Sequence, residues 1–255
     1  MSDMTNLFWQ EEFKVRAYEA GLDGRVTMQS ICNYLQEASA NHAFAMNVAM
    51  DQMLKMNLLW VLSRLHIRLE KYPKWNEIIT VETWPSEKSR MFGIRDFRIK
   101  TEADGLIGVG TSSWMVIDFK ERRAAHLPDF LEEFQNHEQP RALADPFDRL
   151  PEINEGREVI QKDFKVRRGD LDMNNHVNSV HYIAWALEIV PPDLWKSHSL
   201  RELEINYRSE CTLGDQVHSR GQCTSEGSEQ YYIHQLFRES DHKEVARLRT
   251  LWQQK

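Results

Sequence analysis

The chain has 255 residues, of which 41% are hydrophobic and 28% are charged, a balance typical of globular proteins rather than of disordered or fibrous chains. Acidic residues outnumber basic ones by 39 to 32, which argues against a general nucleic-acid-binding role. The three cysteines, Cys32, Cys211 and Cys223, include no CxxC pair, so neither a disulfide framework nor a thiolate metal site is indicated.

The start of the chain and its hydropathy predict a cytoplasmic protein. The first residues carry acids and no apolar core of a signal peptide, and they do not resemble an Arg-rich transit peptide. No apolar run approaches the roughly 18 residues of a membrane span, so we expect no stable membrane insertion. Unpaired cysteines also fit a reducing compartment.

The front half is predicted to begin with one helix and to continue as strands. Apolar residues from Met28 to Met46 recur at helical spacing after a turn signal at Asp23-Gly24. Four segments with strand-like alternation follow, at about 58–70, 77–86, 91–101 and 107–118. Prolines between Leu127 and Arg157 then predict an irregular connector, with a short helix at Phe130 to Asn136.

The back half repeats this order, which predicts an internal duplication. Its helix runs from Val177 to Val190 and ends at Pro191-Pro192. Four strand-like segments follow, at about 201–208, 215–224, 229–239 and 243–253. The segment at Leu203 matches the one at Leu65, and the same separation relates Trp252 to Trp114. One helix followed only by antiparallel strands, twice, is an α+β pattern.

A dense polar cluster, Asp170-Leu-Asp-Met-Asn-Asn-His-Val-Asn178, lies immediately before the back helix. Asp and Asn are favoured helix caps, so capping alone accounts for one of these residues. Asp172, Asn174 and His176 recur at every second position, and an extended segment would place them on one side. A carboxylate, an amide and an imidazole near a helix N-terminus are suitable groups for hydrolysing an acyl compound.

A second polar cluster, Tyr207-Arg-Ser-Glu-Cys211, ends the strand that contains Leu203. Strict alternation puts Cys211 on the face of Leu203 and Glu210 on the other, so Glu210 reaches the helix side only through a bulge or turn. The cluster is also compatible with a solvated strand end. The chain contains no GxSxG, HExxH, GxxxxGK[ST] or GxGxxG motif, which removes the usual support for serine-hydrolase, zinc-protease and nucleotide-binding sites.

Residues 170–188 and 207–211 together resemble the acyl-acyl carrier protein (acyl-ACP) thioesterases of plants and bacteria. Front-half segments are similar to the same family: Val15–Glu19, Asn33–Ala38, Leu59–Arg64, Lys71–Trp75 and Val81–Trp84. The likeness covers about residues 8 to 253. It implies a tandem (double) hot-dog fold, in which each half is one long helix wrapped by an antiparallel sheet.

The resemblance also implies how the chain is divided. An N-terminal hot-dog domain, 1–135, would bind the acyl chain, a linker would span 136–158, and a C-terminal domain, 159–255, would be catalytic. The long N-terminal extension of the plant members is missing, which predicts a bacterial member without a transit peptide. A duplicated chain is compatible with a monomer and with a homodimer.

Carried over residue by residue, the resemblance implies four catalytic residues, Asp172, Asn174, His176 and Glu210. Cys211 matches a cysteine once proposed as a nucleophile, so it is a possible catalytic residue. The implied acyl tunnel lies in the front domain, where the candidates are Met28, Ile31, Leu35, Met46, Met50, Met53, Leu59, Trp60 and Phe92. No metal and no other cofactor is implied.

The implied activity is hydrolysis of fatty acyl-ACP to free fatty acid and ACP, which ends chain elongation. ACP is strongly acidic and this chain has a net charge of −7, so docking requires a local basic face. Two groups of cations are candidates: Lys162, Lys165, Arg167 and Arg168, and Lys120, Arg122 and Arg123. The alternatives are a hot-dog acyl-CoA thioesterase and a hot-dog dehydratase or non-catalytic acyl-binding protein.

Overall fold

A computed structural model describes residues 7–88, 91–133, 135–226 and 229–255, which divide into two compact units between Pro146 and Phe147. Each unit packs one main helix against an antiparallel sheet, so the predicted α+β class is confirmed. The unit boundary falls inside the predicted linker, 136–158. Among the described residues, no helix is long and apolar enough to cross a membrane.

The first unit contains a sheet in the order β1-β3-β4-β5-β2, with β6 paired to β5, and all pairings are antiparallel. Its strands are β1 (Trp9–Lys14), β2 (Leu58–Leu69), β3 (Ile78–Lys88), β4 (Phe92–Thr101), β5 (Gly105–Asp118) and β6 (Arg123–Ala124). Its helices are α1 (Met28–Ala45) and α2 (Met50–Lys55), with short 3-10 helices at Ala17–Glu19 and Asp129–Glu133.

The second unit contains a sheet in the order β8-β11-β10-β9-β7, again antiparallel throughout. Its strands are β7 (Ile160–Lys165), β8 (His198–Tyr207), β9 (Gln216–Glu226), β10 (Glu229–Arg238) and β11 (Glu244–Gln254). Its helices are α3 (Ser179–Leu187) and α4 (Pro192–Ser197), with a 3-10 helix at Arg168–Asp170.

The two main helices start at side-chain caps and bury one face. Thr27 Oγ1 accepts the N–H of Ser30 at 3.1 Å at the start of α1, and Asn178 Oδ1 accepts that of Val180 at 3.1 Å at the start of α3. Met28, Ile31 and Leu35 follow at helical spacing on α1 and are buried. Removing such a face from water is the main force that fixes a helix on a sheet.

The predicted order of one helix followed only by strands is wrong, because a short helix follows each main helix. The helix α3 ends at Leu187 rather than Val190, and the two prolines that were expected to stop it open α4 instead, with Pro192 at its first position. Proline is favoured there because its fixed φ suits a helix and its missing N–H would be unpaired anyway.

Two edge strands, β1 and β7, were also missed. In β1 the half-buried positions are Trp9, Glu11 and Phe13, so a charged residue interrupts the apolar alternation. Glu11 is accommodated because its carboxylate accepts hydrogen bonds from Asn41 of α1 at 2.9 and 3.1 Å. A pattern of apolar residues alone does not detect such a strand.

The connector is irregular, as predicted, but it is held in place. The expected helix at Phe130 to Asn136 is a 3-10 helix at Asp129–Glu133. Asn136 lies beyond it, donates to Leu7 O at 3.0 Å and accepts the N–H of Glu138 at 2.9 Å. Arg141 pairs with the buried Asp96 of β4 at 2.8 Å. Polar contacts therefore fix this stretch without secondary structure.

The predicted duplication extends to the hydrogen bonds of one turn in each half. We call Gly21–Arg25 the front turn and Asp172–His176 the back turn. In the front turn the Gly21 N–H donates to Arg25 O at 2.8 Å, and in the back turn the Asp172 N–H donates to His176 O at 2.8 Å. A bridge encloses each turn, Ala20 with Val26 and Leu171 with Val177. The two turns therefore have the same backbone arrangement.

We expect Gly108→Ala to lower the free energy of unfolding by about 1–3 kcal/mol. Gly108 of β5 faces Leu69 of β2, and an added Cβ would lie 2.8 Å from the carbonyl oxygen of Arg68 and 2.6 Å from Leu69 Cδ1. The backbone oxygen cannot move without disturbing the β2–β5 pairing. Urea-induced unfolding measures the effect.

The control for this prediction is Gly93→Ala in β4 of the same unit. An added Cβ there would meet only the Trp60 ring at 3.7 Å, an ordinary contact distance. We expect Gly93→Ala to leave the unfolding midpoint close to that of the parent. Equal midpoints for the two variants would contradict the steric argument.

Candidate active site

The segment that carries the first polar cluster is a tight turn and not the extended segment expected from its spacing. The back turn closes when the Asp172 N–H donates to His176 O at 2.8 Å and the Asn175 N–H donates to Asp172 O at 3.1 Å. Asn175 has φ +62°, a left-handed conformation that Asn tolerates better than most residues. The turn therefore brings the backbones of Asp172 and His176 together by folding back.

The Asp172 carboxylate stabilises this turn from within. Its Oδ1 accepts the backbone N–H of Asn174 at 2.8 Å and that of His176 at 3.3 Å. The residue is exposed, and its Oδ2 makes no hydrogen bond with the described part of the chain. One oxygen is thus fixed while the other stays open to water or substrate. The Asn174 side chain is also exposed and forms no hydrogen bond with described residues.

The structure places the second polar cluster next to the first. His176 Nε2 lies 3.2 Å from Glu210 Oε2, and these side chains keep 29% and 40% of their surface exposed. Glu210 reaches this position because β8 ends at Tyr207. The N–H groups of Arg208 and Ser209 both donate to Val245 O, at 2.9 and 3.3 Å. This irregularity breaks the alternation of side chains between the two faces of the strand.

Distant residues hold Glu210 in place, and sequence reasoning missed them. Arg238 of β10 donates from Nη1 to Glu210 O at 2.5 Å, and its guanidinium also pairs with Asp241 at 2.7 Å. Tyr182 of α3 accepts the N–H of Cys211 at 2.9 Å through its hydroxyl oxygen. Arg238 is the last residue of β10, and the whole of β9 also lies between it and Glu210, so no local motif marks it.

Cys211 is a structural link in this site. It is fully buried, its carbonyl accepts the Val177 N–H at 2.9 Å, and it thereby joins the end of β8 to the start of α3. Burial raises the pKa of the Cys211 thiol to about 11. A thiol with that pKa is almost entirely protonated near neutral pH, whereas nucleophilic cysteines act as thiolates.

We expect Cys211→Ser to retain at least about one third of the parent kcat, because a buried thiol with a pKa of about 11 is a poor source of the nucleophilic thiolate. The measurement is turnover of the acyl thioester that the resemblance implies as substrate, with circular dichroism as the check on folding. Complete loss of turnover in a variant with the parent's spectrum would restore the thiol as a nucleophile.

The nine acyl-tunnel candidates differ in how deeply they are buried. Met28, Ile31, Leu35, Met46 and Met53 are buried, Leu59, Trp60 and Phe92 are partly buried, and Met50 is 38% exposed on α2. Met46 and Val48 pack with Leu131, with Trp60 against them. Next to this group lies a surface depression of about 370 Å³, lined by the apolar residues Met46, Val48, Met56 and Phe130 and by the polar residues Asn47, Gln52 and Lys55. A tunnel along α1 stays a prediction.

Comparison with known proteins places the chain in one family along nearly its whole length. The family model for the acyl-ACP thioesterase N-terminal domain matches residues 6–134, and that for the C-terminal domain matches residues 153–254. An oleoyl-acyl carrier protein thioesterase of Arabidopsis thaliana is 33% identical over 98% of this chain and 77% of that relative.

Two solved structures have the same fold. A 12:0-ACP thioesterase from Umbellularia californica superposes with a TM-score of 0.89 at 28% identity, covering 98% of this chain and 95% of that one. An acyl-ACP thioesterase from Bacteroides thetaiotaomicron superposes with a TM-score of 0.86 at 24% identity, covering 99% of this chain and 100% of that one. The predicted hot-dog fold and the predicted family are confirmed. The chain belongs to the acyl-ACP thioesterase family, a family of thioester hydrolases.

Proposed function

We propose that the chain hydrolyses fatty acyl-ACP to a free fatty acid and ACP, and thereby ends the elongation of the acyl chain. The observation that carries this proposal is the contact of His176 with Glu210 beside the Asp172 carboxylate, within the part of the chain that matches the family's C-terminal domain. Family membership favours this reaction over dehydration and over binding without catalysis.

Asp172 is the proposed base. Its Oδ1 is held by two backbone N–H groups, so its free Oδ2 has a defined position from which to take a proton from water. The water oxygen then bonds to the thioester carbonyl carbon. A positioned base of this kind typically contributes about 10²–10⁴-fold to the rate.

His176 is the proposed acid and Glu210 the positioning residue. Pairing of His176 Nε2 with Glu210 leaves Nδ1 available, and the protonated ring delivers a proton to the departing sulfur as the C–S bond breaks. Asn174 is proposed to bind the water or the carbonyl oxygen through its exposed amide. Hydrogen bonds to a developing oxyanion are worth about 10²–10³-fold each.

The division of labour between the two units is also a proposal. The first unit, with the predicted domain 1–135, would bind the acyl chain, and the second, with the predicted domain 159–255, would carry out the chemistry. Met46, which packs beside Trp60 and Leu131, supplies an adaptable apolar side chain to one part of the depression described above. We further propose that the enzyme acts in the cytoplasm and needs no metal or organic cofactor.

The experiment that tests the function is thiol release by the purified protein, measured with and without EDTA. ACP loaded with C8 to C18 acyl chains is compared with the matching acyl-CoA esters, and His176→Ala serves as the inactive control. Rapid release from ACP that EDTA does not change supports the proposal and reports the preferred chain length. Release from acyl-CoA alone would show that CoA, and not ACP, carries the acyl group. No release from either substrate would contradict the proposal that the protein is a thioester hydrolase.

A further inference from the structure

The back turn carries an apolar side chain that neither the fold nor the proposed chemistry uses. Met173 lies between Asp172 and Asn174 and is 92% exposed. Leu213 is also exposed on the loop that follows Cys211. That loop is hydrogen-bonded to Val166, which follows β7 and precedes the back turn. The Gly214 N–H donates to Val166 O at 3.2 Å, and the Val166 N–H donates to Asp215 O at 2.9 Å.

The same surface carries three exposed cations. Lys165, Arg167 and Arg168 lie within four residues of each other, immediately before the back turn. Arg167 pairs with Asp170, which is buried, and its own side chain stays 78% exposed. Lys165 and Arg168 form no ion pair with any residue in the described part of the chain. The nearby Asp215 carboxylate is directed to Thr212, whose N–H it accepts at 2.8 Å.

We propose that Met173 and Leu213, with Lys165, Arg167 and Arg168 around them, form the docking surface for the acyl carrier protein. This inference rests on the proposed function, since it assigns the partner of the same site. An acidic carrier is repelled by a chain whose net charge is −7, unless it meets a local group of cations. Such a group beside the back turn would bring the thioester to Asp172 and His176.

The front turn supplies a matched control within the same molecule. Leu22 occupies the position of Met173 in the front turn and is also fully exposed. Trp75 is exposed too, and it precedes Leu213 by the same separation that relates Leu65 to Leu203. Arg25 stands where the back turn has His176, and Gly21 stands where it has Asp172. A change at Leu22 therefore alters an apolar tip of the same shape without touching the proposed chemistry.

The test compares two substrates that share the acyl chain and the pantetheine thiol. One is acyl-ACP, and the other is the S-acyl pantetheine, which lacks the carrier. For Met173→Ser, Arg168→Glu and Lys165→Glu, we expect the KM for acyl-ACP, divided by that for S-acyl pantetheine, to rise at least about fivefold over the parent. Leu22→Ser should leave this ratio within about twofold of the parent.

Salt gives an independent readout. The parent's KM for acyl-ACP should rise with ionic strength, and Arg168→Glu should reduce that dependence because one attraction is lost. An unchanged KM ratio in the three variants, or an equal rise in Leu22→Ser, would overturn the docking surface. A parent enzyme that does not turn over acyl-ACP at all would instead overturn the proposed function.

Discussion

We expect His176→Ala to lower kcat for acyl-ACP by at least about 10²-fold while the protein stays folded. The imidazole is the only group in the back turn that can supply a proton to the departing sulfur, and Glu210 holds it at 3.2 Å. The turn itself uses the N–H and carbonyl of His176, not its ring, so alanine preserves the backbone. Single-turnover hydrolysis of acyl-ACP measures the effect.

Arg25→Ala is the control for this prediction. Arg25 occupies the same position of the front turn, and its side chain donates to Tyr72 O at 2.8 Å. Removing a long polar side chain from an equivalent turn should leave kcat near that of the parent. A loss below threefold in a folded His176→Ala variant would remove the imidazole from the mechanism.

The strands could be predicted closely because their signal is local. Apolar residues alternate in β2 and β8, and the predicted segments 58–70 and 201–208 lie within three residues of the observed Leu58–Leu69 and His198–Tyr207. The edge strand β1 escaped prediction because Glu11 faces inward, where Asn41 of α1 satisfies it. The contact between Asn41 and Glu11 joins residues far apart in the sequence, so a local sequence pattern does not reveal it.

The site was predictable in its residue types but not in its geometry. Nothing in the spacing of Asp172, Asn174 and His176 distinguishes an extended segment from a turn, because the turn depends on Asn175 adopting φ +62°. The approach of Glu210 depends on Val245 and Arg238, which lie far along the chain. The predicted catalytic set therefore remains a proposal that the variants must test.

The front and back turns share their backbone hydrogen bonds but differ in their side chains. The front turn forms the same closing bonds with Gly21, Asp23 and Arg25 where the back turn has Asp172, Asn174 and His176. The backbone thus does not require the side chains of Asp172, Asn174 and His176, which are the ones proposed to be catalytic. Substitutions at these positions are expected to change turnover more than folding.

We expect Asp172→Asn to lower kcat by at least about 10²-fold with no loss of stability. The amide oxygen can still accept the N–H groups of Asn174 and His176, so the turn keeps its hydrogen bonds. The negative charge that takes the proton from water is lost. Asp172→Ala should lose the same activity and, in addition, unfold at a lower temperature, because the two hydrogen bonds that the carboxylate accepts within the turn disappear.

The variant Glu210→Gln tests whether Asp172 or Glu210 is the base. With Asp172 as the base, Glu210 only positions His176, and we expect its amide variant to lose about tenfold in kcat and to change the pH profile. With Glu210 as the base, the order reverses: Glu210→Gln loses at least about 10²-fold and Asp172→Asn stays within threefold of the parent. One carboxylate oxygen of Asp172 makes no hydrogen bond with any residue that the structure describes, whereas Glu210 already contacts His176, and we therefore expect Asp172 to be the base.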